Sequence, residues 1–139
     1  MTDLEAIQQT INTYSLSASR SDWDRAIATF TPDATWELAG SPLRMKGHAE
    51  MRTGFPHAVS ATQFVAQLNA PAVISINGDH ATAESVVREA GKVKNSDEWF
   101  DVLGIYEDRL VRTPQGWRFT SRSFKLIGTT NENSIPDAK

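Results

Sequence analysis

Four long β-rich stretches, joined by short connections, fill the second half of the chain and leave few folds open to it. Residues 62–76, 80–91, 98–112 and 116–128 are rich in β-branched and aromatic side chains. Asn77-Gly78 reads as a two-residue hairpin turn, because both residues tolerate positive φ. Thr113-Pro114-Gln115-Gly116 is a second tight turn, and residues 91–97 (GKVKNSD) form a polar hairpin loop between the middle stretches. Each stretch is about twice the usual strand length of ~5–6 residues, so a sheet built from them has to bend strongly. Pro71 marks a bulge or kink inside the first of them.

The first half is helical in pattern. Over residues 3–18, Leu4, Ile7, Ile11, Tyr14 and Ala18 recur at three- and four-residue steps and form one apolar stripe. Ser21 or Asp22 is the expected N-cap of a second helix that carries Trp23, Ile27 and Phe30 inward. Thr31-Pro32-Asp33 is expected to stop that helix. Residues 34–38 and 43–46 then read as a short hairpin around Ala39-Gly40-Ser41-Pro42, and residues 47–55 as a third helix ending near Gly54 and Pro56. Helices first and a long meander after them argue for an α+β fold: a curved antiparallel sheet with N-terminal helices on its concave face. A bent sheet closed by helices is a cone, and its interior is a pocket. One domain over residues 1–128 is expected, followed by a flexible tail over 129–139.

Composition narrows the chemistry. The 139 residues include no cysteine, which removes disulfides, thiolate nucleophiles and cysteine-based metal sites. The three histidines, His48, His57 and His80, are not spaced to bind a metal from one helix face, so no metal and no cofactor are expected. Net charge is −3, residues 1–70 carry five Lys/Arg against seven Asp/Glu and the rest nine against ten, so neither half is basic and no nucleic-acid partner is expected. Apolar runs are too short to cross a membrane. The opening residues Met1-Thr2-Asp3-Leu4-Glu5 carry neither the basic nor the apolar region of a signal peptide, so a cytoplasmic protein is expected.

The ordered motifs resemble a family. Tyr14, Ser21-Asp22-Trp23-Asp24, Phe30-Thr31-Pro32-Asp33-Ala34 with Trp36, Gly47, Asn77-Gly78-Asp79-His80-Ala81, Tyr106-Glu107-Asp108-Arg109-Leu110 and Gly116-Trp117-Arg118-Phe119 with Arg122 occur in this order. Together they resemble the SnoaL-like branch of the nuclear transport factor 2-like superfamily over roughly residues 5–125. The resemblance implies the cone fold and a cofactor-independent lyase, isomerase or hydrolase acting on a hydrophobic, ring-bearing metabolite. It also implies a tyrosine on the first helix, an aspartate five residues later and a histidine at the start of the first long strand. Tyr14 matches the tyrosine, but position 19 is Ser19, and Thr62-Gln63-Phe64-Val65-Ala66-Gln67 contains no histidine. The Asp–His dyad is absent.

Other residues must then supply any acid–base step, and the candidates are Tyr14, Glu89, Asp101, Tyr106, Asp108, Arg88 and Arg122. Alternation along residues 80–91 puts Ala81, Ala83, Ser85, Val87 and Glu89 on one small, mostly apolar face, with Glu89 at its end. A hairpin centred near Asn95 places Glu89 opposite Asp101, and two facing carboxylates raise one pKa; the competing reading puts both at a solvated rim. In the catalytic reading Tyr14 donates or positions a proton, Glu89 or Asp101 is the base, and Arg122 stabilises negative charge. Alternation also gives Arg122 a face with Arg118, Thr120 and Phe124, and pairing with Glu107 or Asp108 is its competing role. Trp23, Phe30, Trp117 and Phe119 are assigned to the core, whereas Trp36, Phe55, Phe64, Gln67 and Trp99 are assigned to ligand binding. Tyr106-Glu107-Asp108-Arg109 reads as a strand pattern, and His57 as a residue able to fold over the cone mouth. The non-catalytic alternatives are a ligand-binding module that has lost the dyad and a dimeric association domain. The feature that separates them is an ionisable side chain facing the cavity. Trp99, between Glu98 and Asp101, is an interface candidate, and an uncovered sheet face makes a homodimer the expected assembly.

Overall fold

A computed structural model describes residues 1–130. It contains α1 (Asp3–Ser19), α2 (Trp23–Ile27), β1 (Phe30–Leu38), β2 (Arg44–Lys46), α3 (Gly47–Ala58), β3 (Thr62–Asn69), β4 (Val73–Asn77), β5 (His80–Val93), β6 (Trp99–Thr113) and β7 (Gly116–Thr129). The strands form one seven-stranded sheet in the order β2-β1-β7-β6-β5-β3, and β4 also pairs with β5. β3 and β4 are the two halves of the first long ribbon, separated at Ala70-Pro71-Ala72 and both laid antiparallel on β5. Pro71 has no N–H to give a ladder, so the break falls where the sequence places a kink.

The sheet is mixed rather than wholly antiparallel, because β1 runs parallel to β7. The N–H of Phe119, near the start of β7, bonds the Thr29 carbonyl at 2.8 Å, so the chain leaves α2 at the end of the sheet where β7 begins. α2 is shorter than its pattern suggests. The Asp22 side chain caps it by accepting from the Arg25 N–H, and the helix ends at Ile27. Phe30 opens β1 instead of extending the helix, and Thr31-Pro32-Asp33 lies where the β1–β7 register shifts rather than in a terminating turn. α3 also runs past its expected stop, with Pro56 inside it.

Apolar side chains from the concave face and from the helices share one core, including Ile7 and Ile11 from α1, Ile27, Phe30, Val87, Leu110, Trp117 and Phe119. The periodicities of 3.6 and 2 that define the stripes on α1 and β5 are the ones buried here, except for Leu4 at the start of the α1 stripe, which is exposed. A surface network pins the N-terminus to the sheet: Arg112 bonds both carboxylate oxygens of Asp3 at 2.7 and 2.9 Å, and Trp117 Nε1 donates to Asp3 at 3.1 Å.

Three registers decide which side chains face inward. The β4–β5 hairpin closes with Asn77 opposite His80, so its turn is Gly78-Asp79, one residue beyond the expected pair, with Gly78 at φ +64°. In the β5–β6 hairpin Lys92 faces Trp99 and Ala90 faces Asp101, so Glu89 faces Val102 and not Asp101. In β7, Arg109 pairs with Ser121 while Leu110 pairs with Phe119, which leaves Thr120 as an extra residue. That bulge turns Arg122 and Phe124 onto the same inner face as Trp117 and Phe119. Thr129 ends β7 and the Thr130 N–H bonds the Asp101 carbonyl at 3.0 Å; the rest of the expected tail, 131–139, lies outside the described residues.

Candidate functional site

Inner-face side chains of β5 and β6 are small where the helices stand off the sheet, and a cavity of about 350 Å³ opens there. Ala83, Ser85 and Val87 on β5 and Gly104 on β6 take little space. Gly104 is required: a Cβ there would run into the Phe124 ring, which lies across it. Trp23, Trp36, Phe55, Phe124, Val102 and Leu126 give the wall its apolar character. The rings of Trp23 and Phe55 stack at 5.7 Å with 16° between planes, and Trp36 meets Phe55 edge-on at 6.0 Å. Such a wall suits a flat apolar ligand.

Four polar side chains line this apolar space: Tyr14 from α1, Tyr106 from β6, Gln67 from β3 and Glu89 from β5. Gln67 faces Glu89 directly across the ladder, and its Nε2 donates to Glu89 Oε1 at 2.9 Å. Burial pushes the Glu89 carboxyl up from 4.5 to about 7. A carboxyl desolvated and held by a neutral amide is poised between acid and base near neutral pH.

The two tyrosines form the other half of the site. Trp36 Nε1 donates to Tyr106 Oη at 3.2 Å, and a side-chain hydrogen bond links Tyr106 to Tyr14. An indole N–H can only donate, so Tyr106 accepts from Trp36 and has its own proton to pass to Tyr14. The Tyr14 O–H then ends a donor chain at the cavity, where each bond polarises the next. Burial raises the pKa of both phenols, Tyr106 well above its ordinary value, with the positive charge of Arg122 opposing the rise in each. Both are neutral donors at physiological pH.

The structure brings Tyr14, Glu89, Trp36, Phe55 and Gln67, all candidates of the sequence reading, to the wall of one cavity. It does not bring Asp101, Arg122, Phe64 or Trp99 to the cavity. Asp101 lies on the outer face because the hairpin is centred half a residue beyond Asn95, and Arg88 grips both its oxygens, with Nη2–Oδ2 at 2.6 Å. A one-residue change of register moves a side chain to the opposite face. Phe64 and Trp99 stack edge-on at 5.3 Å on that same convex face, and Trp99 is 64% exposed. Arg122 is buried behind the cavity wall, with Nε and Nη2 on the Asp108 carboxylate at 2.7 and 3.0 Å. His57 is exposed on α3 and does not line the cavity, although Ala58 and Val59 beside it do.

Two lining residues stand outside the final site set of the sequence reading. Tyr106 shares the inward alternation of Asp108 and Leu110, a signal present in the sequence but outweighed by its charged neighbours. Trp23 packs against the core and also lines the cavity, which depends on where α3 places Phe55 and has no sequence signal. Ser19, at the position where the resemblance implies an aspartate, is a structural link: its Oγ donates to Ser15 O and accepts from the Gln67 N–H, both at 2.8 Å. Among the described residues no group of His, Asp and Glu is arranged to hold a metal ion, and no helix is long and apolar enough to cross a membrane.

A family model described as SnoaL-like domain matches residues 1–123. The chain belongs to the SnoaL-like domain family. Solved structures place the SnoaL-like chain among proteins of the same fold. A protein from Novosphingobium aromaticivorans, provisionally named an aromatic ring hydroxylase, superposes with a TM-score of 0.83 at 27% identity, covering 91% of this chain and 90% of that one. A provisionally named scytalone dehydratase from the same organism gives 0.84 at 19% identity, covering 94% and 91%. A nuclear transport factor 2-like protein with a cystatin-like fold, also from that organism, gives 0.77 at 24% identity over 90% and 82%. No curated protein sequence matches this chain.

Proposed function

We propose that this SnoaL-like protein is a cofactor-independent acid–base enzyme of the lyase or isomerase kind, acting on a neutral, ring-bearing molecule with a carbonyl oxygen. The observation that carries the reading is Glu89, an ionisable carboxyl in an apolar cavity with its pKa raised to about 7. A pure binding module for apolar ligands gains nothing from a buried carboxyl, since desolvating it works against the fold.

In this scheme the Glu89 carboxylate removes a proton from the carbon next to the substrate's carbonyl carbon. The C–H electron pair becomes a new C=C bond while the C=O π pair moves onto the oxygen, where negative charge develops. Tyr14, at the end of the Trp36–Tyr106 donor chain, donates a hydrogen bond to that oxygen. Return of the proton at another carbon gives isomerisation; expulsion of a leaving group from the β-carbon gives elimination. The name of the dehydratase-like structural neighbour is compatible with the second outcome. Stacked Trp23 and Phe55 hold the ring system, and the cavity's about 350 Å³ suits one or two rings. Glu89 repels anionic substrates, so carboxylates and phosphates are excluded. The reading includes a homodimer built on the convex sheet face, where Leu68, Val86, Trp99, Leu103 and Ile127 are exposed.

The test uses 2-tetralone as a bicyclic ketone probe in D₂O, with α-proton exchange followed by NMR. The wild-type protein is expected to accelerate exchange, and Glu89→Gln to abolish the acceleration while still binding the ketone. Binding without any accelerated exchange in the wild type would return the protein to the non-catalytic reading.

A further inference from the structure

Arg122 and Asp108 are fully buried, face each other across β6 and β7, and touch no ligand space. A buried ion pair adds little stability over an apolar pair of equal volume, because both charges have lost their water. The surroundings of this pair suggest another use. The Arg122 guanidinium carbon lies 3.6 Å from the Tyr106 ring centroid, 4.6 Å from that of Tyr14 and 4.3 Å from that of Phe119. Asp108 occupies Nε and Nη2, and Nη1 is a buried nitrogen without a hydrogen-bond partner. The cation is thus clamped from one side and lies over the rings of Tyr106, Phe119 and Tyr14, and the hydroxyls of the two tyrosines serve the cavity. In the parallel β1–β7 register Trp36, the first donor of the chain, also stands opposite Arg122.

We propose that Arg122 is a positioning residue that acts through Tyr14 and Tyr106, supplying positive charge beneath their rings so that they stabilise a ligand oxyanion, with Asp108 fixing the strength and place of that charge. A cation against a phenol ring favours negative charge on the phenol oxygen and strengthens the O–H as a donor. The proposal rests on the cavity reading above but concerns a residue outside the cavity. It predicts opposite effects for the two members of the pair: loss of the cation weakens oxyanion binding, whereas neutralising its counter-charge strengthens it.

The experiment measures binding of graded nitrophenols, whose phenolate forms absorb distinctly, against nitrobenzene as a neutral probe of similar shape. At about pH 5.5 Glu89 holds its proton and does not repel the phenolate. In the double variant Arg122→Met/Asp108→Leu, phenolate affinity relative to nitrobenzene is expected to fall about tenfold, the equivalent of one pKa unit. Asp108→Asn is expected to raise that ratio, and Arg122→Lys to retain part of it. Because the readout is a ratio with a spectroscopic signature, a loosened cavity would lower both affinities and leave it unmoved. If Tyr14→Phe lowers the ratio in the wild-type background but the Arg122 and Asp108 variants do not change it, the role of Arg122 is overturned and the cavity reading stands. If Tyr14→Phe has no effect either, the cavity reading itself has failed.

Discussion

Gln67 donates from Nε2 to Oε1 of Glu89 at 2.9 Å across the β3–β5 ladder, so the carboxylate in the cavity is held by a neutral amide. The rise from 4.5 to about 7 follows from desolvation. Its consequence for stability has a definite sign. Below about pH 4 both folded and unfolded forms carry the proton and no penalty exists. As pH rises from 4.5 towards 7 the unfolded chain ionises first, so stability falls, and above 7 the penalty is constant at roughly 3 kcal/mol, at about 1.4 kcal/mol per pH unit. Glu89→Gln is therefore expected to be more stable than wild type by about 2–3 kcal/mol at alkaline pH and equal to it at acid pH. Urea unfolding at the two extremes checks this; equal differences at both would refute the buried-carboxyl account.

In the proposed reaction the same carboxyl sets the working pH. A base must be ionised, so turnover is expected to rise with pH through an inflection near 7 and then level off. Gln67→Leu removes the donor to the charged form, which disfavours ionisation and moves the inflection upward. A pH–rate profile of kcat/KM reads both. An inflection left in place by Gln67→Leu would show that another group controls the rate.

Tyr14→Phe keeps the ring packed between Phe30, Phe55 and Phe119 and removes only the terminal donor. Loss of one oxyanion donor typically lowers kcat by ~10²–10³-fold. The expected result is that loss with KM nearly unchanged and unfolding shifted by about 1 kcal/mol. Steady-state kinetics on any substrate found by the exchange assay decides it, and an unchanged kcat would return Tyr14 to a packing role.

Much of the fold was legible because it is written in periods. The α1 stripe, the small inner face of β5 and the kink at Pro71 follow from side-chain alternation and from proline's missing N–H. Tyr14 and Glu89 were placed by the same rule. The rest turned on single residues of register. Centring the β5–β6 hairpin half a residue further sends Asp101 outward to Arg88, and the extra Thr120 sends Arg122 inward to Asp108. Alternation holds only between bulges, and nothing in the local sequence marks this one. Phe64 and Trp99 show the other limit: an aromatic residue has the same appeal to a ligand pocket as to a convex face.

Gly104 tests the space on which the site depends. A methyl group at this position meets the Phe124 ring, which must move, and the ring itself lines the cavity. Gly104→Ala is expected to cost about 1–3 kcal/mol in stability, as overpacked cores do. It is also expected to weaken two-ring ligands more than one-ring ligands. Calorimetric binding of paired one- and two-ring ketones gives the comparison, and equal losses would place the ligand away from Phe124.

The convex face makes the last prediction. Leu68 on β3, Arg88 on β5 and Leu103 on β6 form a row across three strands, and Leu68 and Leu103 are exposed there. Arg88 is neutralised by Asp101 within the same face, which leaves the row able to meet a second copy with little charge repulsion. Leu103→Glu places a carboxylate at one end of it, where desolvation on association would be unfavourable. Sedimentation velocity at micromolar concentration is expected to show a dimer for wild type and a monomer for Leu103→Glu, with the Glu89-dependent exchange retained because the cavity lies on the other side of the sheet. A wild-type monomer under those conditions would remove the dimer and leave the chemistry untouched.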